Sequence, residues 1–125
     1  DGSGINRGNQ ATCKIMQEIA DYEPVKPFLQ EAFPLAGEEG AIAQGFRNSI
    51  FAGNLNAKTY RSATVGALLG YFTTDSGDQM TVSFMVNHQE GGNWVETELD
   101  TFYENLGSYL RSYSSGLPIE MLEPK

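Results

Sequence analysis

The residues best suited to chemistry lie in one short stretch, Asn56-Ala57-Lys58-Thr59-Tyr60-Arg61. Lys58 offers a compact positive charge with three hydrogen-bond donors, and Thr59 adds a hydroxyl group. A lysine and a hydroxyl residue side by side can hold a carboxylate group. In a plainer interpretation, both are ordinary solvated side chains on the exposed edge of a strand. The pair alone does not decide between these two interpretations, so the elements around it must.

Three segments are predicted to be strands, and the first of them, from Leu55 to Tyr60, contains the Lys-Thr pair. Val65 to Thr74 is almost continuously apolar, as expected for a central strand covered on both faces. Met80 to Val86 alternates apolar and polar residues, which is typical of a half-buried strand. The turn residues Asp75 to Asp78 join these last two segments and predict an antiparallel hairpin.

Helical signals precede the strands. An amphipathic pattern predicts a helix from about Asn9 to Tyr22, and Pro24 ends it. Pro24 to Phe33 can hold a second short helix, with Pro27 in its first turn. A third short helix is expected near Ile42 to Arg47.

A longer helix follows the hairpin. Asn93 can cap its first turn, and the side chain of Glu96, three residues later, can accept a hydrogen bond from the Asn93 backbone N–H. Gly116 and Pro118 end it, which leaves residues 117–125 as a loose tail. Its apolar residues form the following stripe: Val95, Leu99, Phe102, Leu106, Tyr109, Leu110 and Tyr113.

These elements predict the α+β class, with an antiparallel sheet of at least three strands packed with helices. The length of 125 residues suits a single domain, residues 1–125. The sequence starts at Asp1, directly in a loop-like run, which favours a partial domain taken from a longer protein.

The composition excludes several classes of function. The formal net charge is -8, which argues against nucleic acid as a partner because a phosphate backbone needs a basic surface. With one cysteine, Cys13, and one histidine, His88, a zinc site is not expected, and no cofactor is predicted. No apolar run in the sequence approaches the length needed to cross a bilayer.

A complete catalytic set is missing from the sequence. It contains neither a Ser-x-x-Lys nor a Ser-x-Asn motif, so no serine has a lysine one helical turn away. Tyr103-Glu104-Asn105 has the Tyr-x-Asn form, but it lies within the last helix and is interpreted as ordinary helix residues. Cys13 and His88 are expected to be structural or solvated. The acidic clusters Glu38-Glu39 and Glu96 to Asp100 are expected to be solvated faces.

Four motifs occur in an order that resembles a known family. They are Asp1-Gly2-Ser3-Gly4-Ile5, Leu35-Ala36-Gly37 before Gly40, Ala57-Lys58-Thr59, and Gly70-Tyr71-Phe72-Thr73-Thr74 with Ser76-Gly77. The series resembles the C-terminal part of the DacB-type (penicillin-binding protein 4-like) D-alanyl-D-alanine carboxypeptidases/endopeptidases, over about residues 1–87. The resemblance implies a C-terminal portion of a β-lactamase/transpeptidase-like domain that works in the periplasm or elsewhere outside the cytoplasm.

The resemblance also implies roles for the central stretch. Lys58 would tune the proton network, and the Thr59 hydroxyl would bind the terminal carboxylate of a D-Ala-D-Ala stem. The backbone N–H of Arg61 would contribute to the oxyanion hole. The nucleophilic serine, its lysine and the Ser-x-Asn element would precede Asp1, so the chain alone would be inactive. The implied partners are a peptidoglycan peptide and, in the full-length parent, β-lactams.

One residue departs from the family pattern. Tyr60 stands where the family has glycine, and its ring can obstruct a peptide that must lie against the strand, so we include it among the substrate-binding positions. The parent is therefore either a serine-type carboxypeptidase or a degenerate relative that binds peptidoglycan or a partner without cleaving it. An unrelated α+β interaction domain with chance matches is a third possibility. If part of the domain is absent, exposed apolar surface also favours a homo-oligomer of the chain.

Overall fold

The computed structural model describes residues 10–87 and 94–112, with the backbone alone for residues 94–97 and 112. The described part contains four helices and three strands, which confirms the α+β prediction. In chain order they are α1 (Cys13–Asp21), α2 (Lys26–Ala32), α3 (Ile42–Gly45), β1 (Leu55–Arg61), β2 (Val65–Thr73), β3 (Gln79–Asn87) and α4 (Trp94–Ser112).

The three strands form one antiparallel sheet in the order β1-β2-β3. The central place of β2 explains its nearly continuous apolar sequence, since one of its faces is buried in the core and the other is half-buried. The predicted hairpin turn is present: the Thr74 hydroxyl accepts a hydrogen bond from the Asp78 N–H at 3.0 Å, and Gly77 adopts a φ of 87°. β1, which carries the Lys-Thr pair, is an edge strand of the described sheet.

The hydrophobic core lies on one face of the sheet, beneath α4. Each strand contributes alternate residues to this face, and the loop before β1 adds aromatic rings. The buried members of the core are Ala36, Ile42, Phe46, Phe51, Leu55, Ala57, Leu68, Phe72, Leu99, Tyr103 and Leu110.

The opposite face of the sheet is partly covered by α1. The Tyr71 hydroxyl donates a buried hydrogen bond of 2.7 Å to the carbonyl of Ala20, which fixes the C-terminal end of α1 on β2. The Thr81 hydroxyl adds a bond to the Asp21 carboxylate at the same end. The sheet therefore has a closed core on its α4 face and a partly open α1 face.

The start of α1 differs from the predicted boundary near Asn9, which lies outside the described residues. Thr12 is the N-cap, and its side chain accepts a hydrogen bond from the Ile15 N–H at 3.2 Å. The helix turns Ala20 inward, whereas Ile15 and Ile19 remain 49% and 50% exposed. Apolar spacing correctly predicted the helix here, but it did not tell which apolar side chains face the sheet.

The buried side of α4 is also displaced from the apolar stripe predicted for it. Its buried side is formed by Leu99, Tyr103 and Leu110, while Phe102 is 41% and Tyr109 50% exposed. At about 100° per residue, Tyr103 lies at the centre of the stripe and Phe102 at its margin, where its ring stacks on the ring of Phe84. Tyr103 is thus a core residue.

Several predictions lie outside the described residues: the Asp-Gly-Ser-Gly run at 1–4, His88, the Asn93 cap and the loose tail at 117–125. In the described part, α3 ends at Gly45, earlier than predicted. None of the described helices is long and apolar enough to span a membrane.

Candidate functional site

β1 is held in place by the loop that precedes it. The Ala36 N–H donates to the Leu55 carbonyl at 2.8 Å, and the Ala57 N–H donates to the Pro34 carbonyl at 3.1 Å. The Asn56 side-chain amide donates to the Phe33 carbonyl at 3.2 Å. The first half of β1 is therefore hydrogen-bonded along both of its edges, to β2 on one side and to the preceding loop on the other.

The second half of β1 has an open edge. In an antiparallel strand, the backbone groups of successive residues point alternately to opposite sides. Because Leu55 and Ala57 direct theirs away from β2, those of Thr59 and Arg61 also point away from β2. Beyond Ala57, no strand of the described part pairs with this edge. Thr59 and Arg61 therefore present backbone donors and acceptors to an incoming extended chain.

Gly70 lets β1 and β2 approach closely. A Cβ added to Gly70 would lie 2.5 Å from the Cβ and 2.9 Å from the Cα of its partner Ala57, and closer still to the Asn56 carbonyl oxygen. Real Cβ atoms do not tolerate such distances, so only glycine fits here. The position of Lys58, one residue later, depends on this contact.

Lys58 and Tyr60 lie on the α1 face of the sheet, opposite Leu69 and Ala67 of β2. They line a cleft of about 460 Å³, here called the α1-side cleft. Its other lining residues are Met16, Phe33, Thr59, Ala67, Leu68, Leu69, Ser83, Phe84 and Met85. Lys58 is exposed and forms no ion pair with any carboxylate of the described residues. The cleft thus combines a largely apolar wall with one free ammonium group.

Thr59 and Arg61 lie on the opposite, α4 face. They line a second cavity of about 320 Å³, here called the α4-side cavity. Its other lining residues are Ala41, Gly45, Phe46, Tyr60, Leu99, Asp100 and Tyr103. The Arg61 guanidinium forms an ion pair with the Asp100 carboxylate of α4. The structure therefore places Lys58 and Thr59 on opposite faces of β1, although Thr59 also reaches the α1-side cleft, and it brings Thr59 together with Arg61.

Tyr103 is the buried polar residue of the α4-side cavity. It is 3% exposed, and its hydroxyl has no hydrogen-bond partner in the described part of the chain. Burial raises the pKa of Tyr103 to about 12, with nearby Arg61 lowering it and Asp100 raising it. The phenol is therefore neutral at pH 7 and retains an unused donor.

Tyr60 stands at the open edge between the two cavities. Its side chain is 51% exposed, and it contributes to the lining of both. The ring therefore occupies the surface that an extended chain beside β1 would approach.

Sequence reasoning missed Asp100 and Tyr103 as parts of this site. Asp100 belongs to the acidic cluster expected to be a solvated face, and it pairs with Arg61 across 39 residues of sequence. No local pattern signals such a pair. The burial of Tyr103, in contrast, follows from its spacing with Leu99 and Leu110, four residues after the first and seven before the second.

The other candidate residues do not join the site. Cys13 is a half-buried free thiol of α1. Glu39 caps a loop, where its carboxylate accepts a hydrogen bond from the Leu35 N–H at 3.3 Å. Among the described residues, no group of three His, Cys, Asp or Glu side chains is placed to hold a metal ion.

The sequence of residues 1–106 matches the family model described as the D-Ala-D-Ala carboxypeptidase 3 (S13) family. This match covers most of the chain. The chain belongs to the S13 family. The resemblance inferred from the four motifs is thereby confirmed.

Two curated relatives support the assignment. D-alanyl-D-alanine carboxypeptidase DacB of Haemophilus influenzae is 31% identical, and the alignment covers 90% of this chain and 26% of the relative. D-alanyl-D-alanine carboxypeptidase of an Actinomadura species is 30% identical, with coverage of 73% and 18%. The chain thus spans about a quarter or less of the length of these relatives.

A solved structure agrees with the S13 assignment. Penicillin-binding protein 4 (dacB) from Haemophilus influenzae, complexed with a novel β-lactam, superposes with a TM-score of 0.73 at 30% identity. The superposition covers 90% of this chain and 28% of that protein. The predicted fold and family are both confirmed, and the roles of Lys58, Thr59, Tyr60 and Arg61 stay predictions.

Proposed function

We propose that β1 forms one wall of the active site of a serine-type D-Ala-D-Ala carboxypeptidase that acts on peptidoglycan stem peptides outside the cytoplasm. The observation that carries this proposal is the open edge of β1 at Thr59 and Arg61, with Lys58 beside it. An extended peptide can add to such an edge as a further strand through main-chain hydrogen bonds. The S13 membership of the chain supports the choice of substrate.

The proposal gives the residues of β1 the following roles. In the reaction, a serine oxygen bonds to the carbonyl carbon of the penultimate D-alanine, and negative charge develops on the carbonyl oxygen. The outward Arg61 N–H is a donor for that charge. The C–N bond then breaks, the terminal D-alanine leaves with a proton, and water hydrolyses the acyl-enzyme.

Lys58 serves the proton transfers in this proposal. Its unpaired ammonium lies on the α1 face, away from the Arg61–Asp100 ion pair. A positive charge there favours the deprotonated form of a neighbouring serine or lysine. Since the 125 residues hold no Ser-x-x-Lys, the nucleophile is proposed to come from sequence beyond them.

The first test is labelling with a fluorescent penicillin. The protein as cells produce it should become covalently labelled, and peptide mapping should place the label on a serine outside the 125 residues. The isolated 125-residue chain should stay unlabelled. Absence of labelling in the folded natural protein would remove the carboxypeptidase proposal.

The second candidate function is a catalytically degenerate relative that binds peptidoglycan or acts as a scaffold. The exposed Tyr60 ring at the open edge favours it, because the ring occupies the approach to β1. Such a protein should bind stem peptides without releasing D-alanine. Measured turnover of a stem peptide by the natural protein would exclude this alternative.

A further inference from the structure

The side chain of Asn56 connects β1 to one wall of the α1-side cleft. Asn56 and Lys58 are two residues apart on β1, so their side chains lie on the same face of the sheet. The half-buried Asn56 amide donates a hydrogen bond of 3.2 Å to the Phe33 carbonyl. Phe33 is the C-cap residue of α2, and it lines the α1-side cleft together with Lys58. The bond therefore ties a wall of the cleft to the strand that carries Lys58.

The Phe33 ring is held from a second direction. Its centroid lies 6.0 Å from that of Tyr71, which is the cross-strand partner of Asn56. Tyr71 is buried, and its hydroxyl donates to the Ala20 carbonyl of α1 at 2.7 Å. α1, α2 and the sheet thus meet around Phe33, and the Asn56 amide joins this junction to β1.

Lys58 has no polar partner of its own among the described residues. Its side chain is exposed, and no ion pair with a described carboxylate restrains the ammonium group. A lysine ammonium on a flexible four-carbon stem takes its position from its surroundings when no partner fixes it. A residue that shapes the cleft beside Lys58 can therefore act on Lys58 without touching it.

We propose that Asn56 is a positioning residue for Lys58. Its amide holds Phe33 against β1, and this contact fixes the space in which the Lys58 ammonium meets the reacting groups. The inference rests on the function proposed above and adds to it a residue that does not touch the substrate. Because a displacement of about 1 Å can slow a reaction by about 100-fold, a small shift of this wall is enough to matter.

The first measurement is the rate at which a labelled penicillin acylates the natural protein. Asn56→Ala should slow acylation by roughly 10-fold, part of the loss that a displacement of about 1 Å can cause. The variant should still fold, because the backbone bond from the Ala57 N–H to the Pro34 carbonyl remains. Acylation of Asn56→Ala at the wild-type rate would overturn the proposal.

Asn54→Ala is the matched control. Asn54 is also half-buried, and its amide donates to a backbone carbonyl, that of Ala52, at 3.4 Å, but it does not line the cleft. Each variant loses one neutral hydrogen bond, so the urea midpoints of unfolding should fall by similar amounts. Acylation should slow in Asn56→Ala and stay at the wild-type rate in Asn54→Ala. Equal slowing in both variants would show a general effect of lost stability and refute the role of Asn56.

A double-mutant cycle with Lys58→Ala separates positioning from a merely structural role. If Asn56 acts through Lys58, Asn56→Ala should change the residual acylation rate of Lys58→Ala by less than about twofold, the usual limit of additivity. A structural role would slow both backgrounds by the same factor. That result would contradict the proposal.

A spectroscopic measurement keeps this inference separate from the proposed catalysis. Reductive methylation with isotope-labelled formaldehyde gives each lysine an NMR signal, and the signal of Lys58 is the one missing in Lys58→Ala. Asn56→Ala should shift this signal, because the nearby Phe33 ring moves, whereas Asn54→Ala should leave it in place. A shifted signal in a protein that no penicillin acylates would uphold the positioning of Lys58 and refute the carboxypeptidase. Acylation by penicillin with an unshifted Lys58 signal in Asn56→Ala would refute the positioning alone.

Discussion

Lys58 and Thr59 are neighbours in the sequence, but they lie on opposite faces of the edge strand β1: Lys58 lines the α1-side cleft, whereas Thr59 lines the α4-side cavity and reaches the margin of the cleft. This division follows from the alternation of side chains along a strand. It places the ammonium group of Lys58 and the hydroxyl group of Thr59 on different sides of β1. An extended peptide lying along the edge of β1 would reach both.

The close contact at Gly70 should be essential for the position of Lys58. We expect Gly70→Ala to lower the free energy of unfolding by about 1–3 kcal/mol, because the new methyl group collides with the backbone of β1. Urea unfolding of the natural protein and its variant measures the change. Gly45→Ala is the control, since an added Cβ there meets no atom within 4 Å, and it should be neutral or stabilising by at most about 1 kcal/mol. Equal stability of the wild type and Gly70→Ala would contradict the packing described.

Removing the Tyr60 ring should open the edge of β1. Tyr60→Gly is expected to raise the rate of D-alanine release from a stem peptide by about tenfold or more, because the peptide can then lie against the strand. Glycine in a strand should cost about 0.5–1 kcal/mol of unfolding free energy. Tyr60→Phe keeps the ring and should behave as the wild type. A slower reaction in Tyr60→Gly would mean that the ring assists binding.

The burial of Tyr103 should make the free energy of unfolding depend on pH in the alkaline range. Tyr103 keeps its proton in the folded state up to a pKa of about 12, whereas in the unfolded chain it ionises near pH 10. Between these pH values the unfolded state alone loses the proton, so the free energy of unfolding falls as the pH rises, by up to about 1.4 kcal/mol per pH unit. The contribution is intact below pH 10.

The Tyr103→Phe variant isolates this contribution. Urea titrations from pH 9 to 12 should show a shallower fall for the variant than for the wild type. The two proteins should show no such difference in slope below pH 10, which serves as the internal control. Identical slopes across the whole range would mean that Tyr103 ionises equally in both states.

The exposed apolar stripe of α1 should cause self-association of the 125-residue chain. Ile15, Ile19 and Tyr22 follow helical spacing, and all three are about half exposed or more. Light scattering should detect dimers of the chain at high concentration. Ile19→Glu should return it to a monomer, while Gln17→Glu, the same charge on a polar position of α1, should not. A monomer at every concentration would contradict this prediction.

The sequence predicted the sheet, its hairpin and the family, because each depends on local signals. The period-2 pattern of β3 and the turn at Asp75 to Asp78 are readable within a few residues. The course of β1 was also predicted, but Lys58 and Thr59, which were expected to hold a carboxylate side by side, lie on opposite faces of the strand.

Other features depend on contacts between distant residues. The Arg61–Asp100 ion pair joins β1 to α4, and the local sequence of neither segment indicates that the other is its partner. Likewise, Tyr71 and Ala20 are linked across 51 residues, which decides the side of α1 that meets the sheet. Such relationships arise only when the chain is folded, so the α4-side cavity could not be predicted from the sequence.

The most direct test of the central claim is the rate of acylation of the natural protein by a labelled penicillin, measured with and without Lys58. If β1 is a wall of the active site, Lys58→Ala should slow acylation by at least about 100-fold, the usual contribution of a group that assists proton transfer. Lys14→Ala, which removes an exposed lysine of α1, should keep the wild-type rate. Labelling of Lys58→Ala at the wild-type rate, or no labelling of the folded natural protein, would contradict the account.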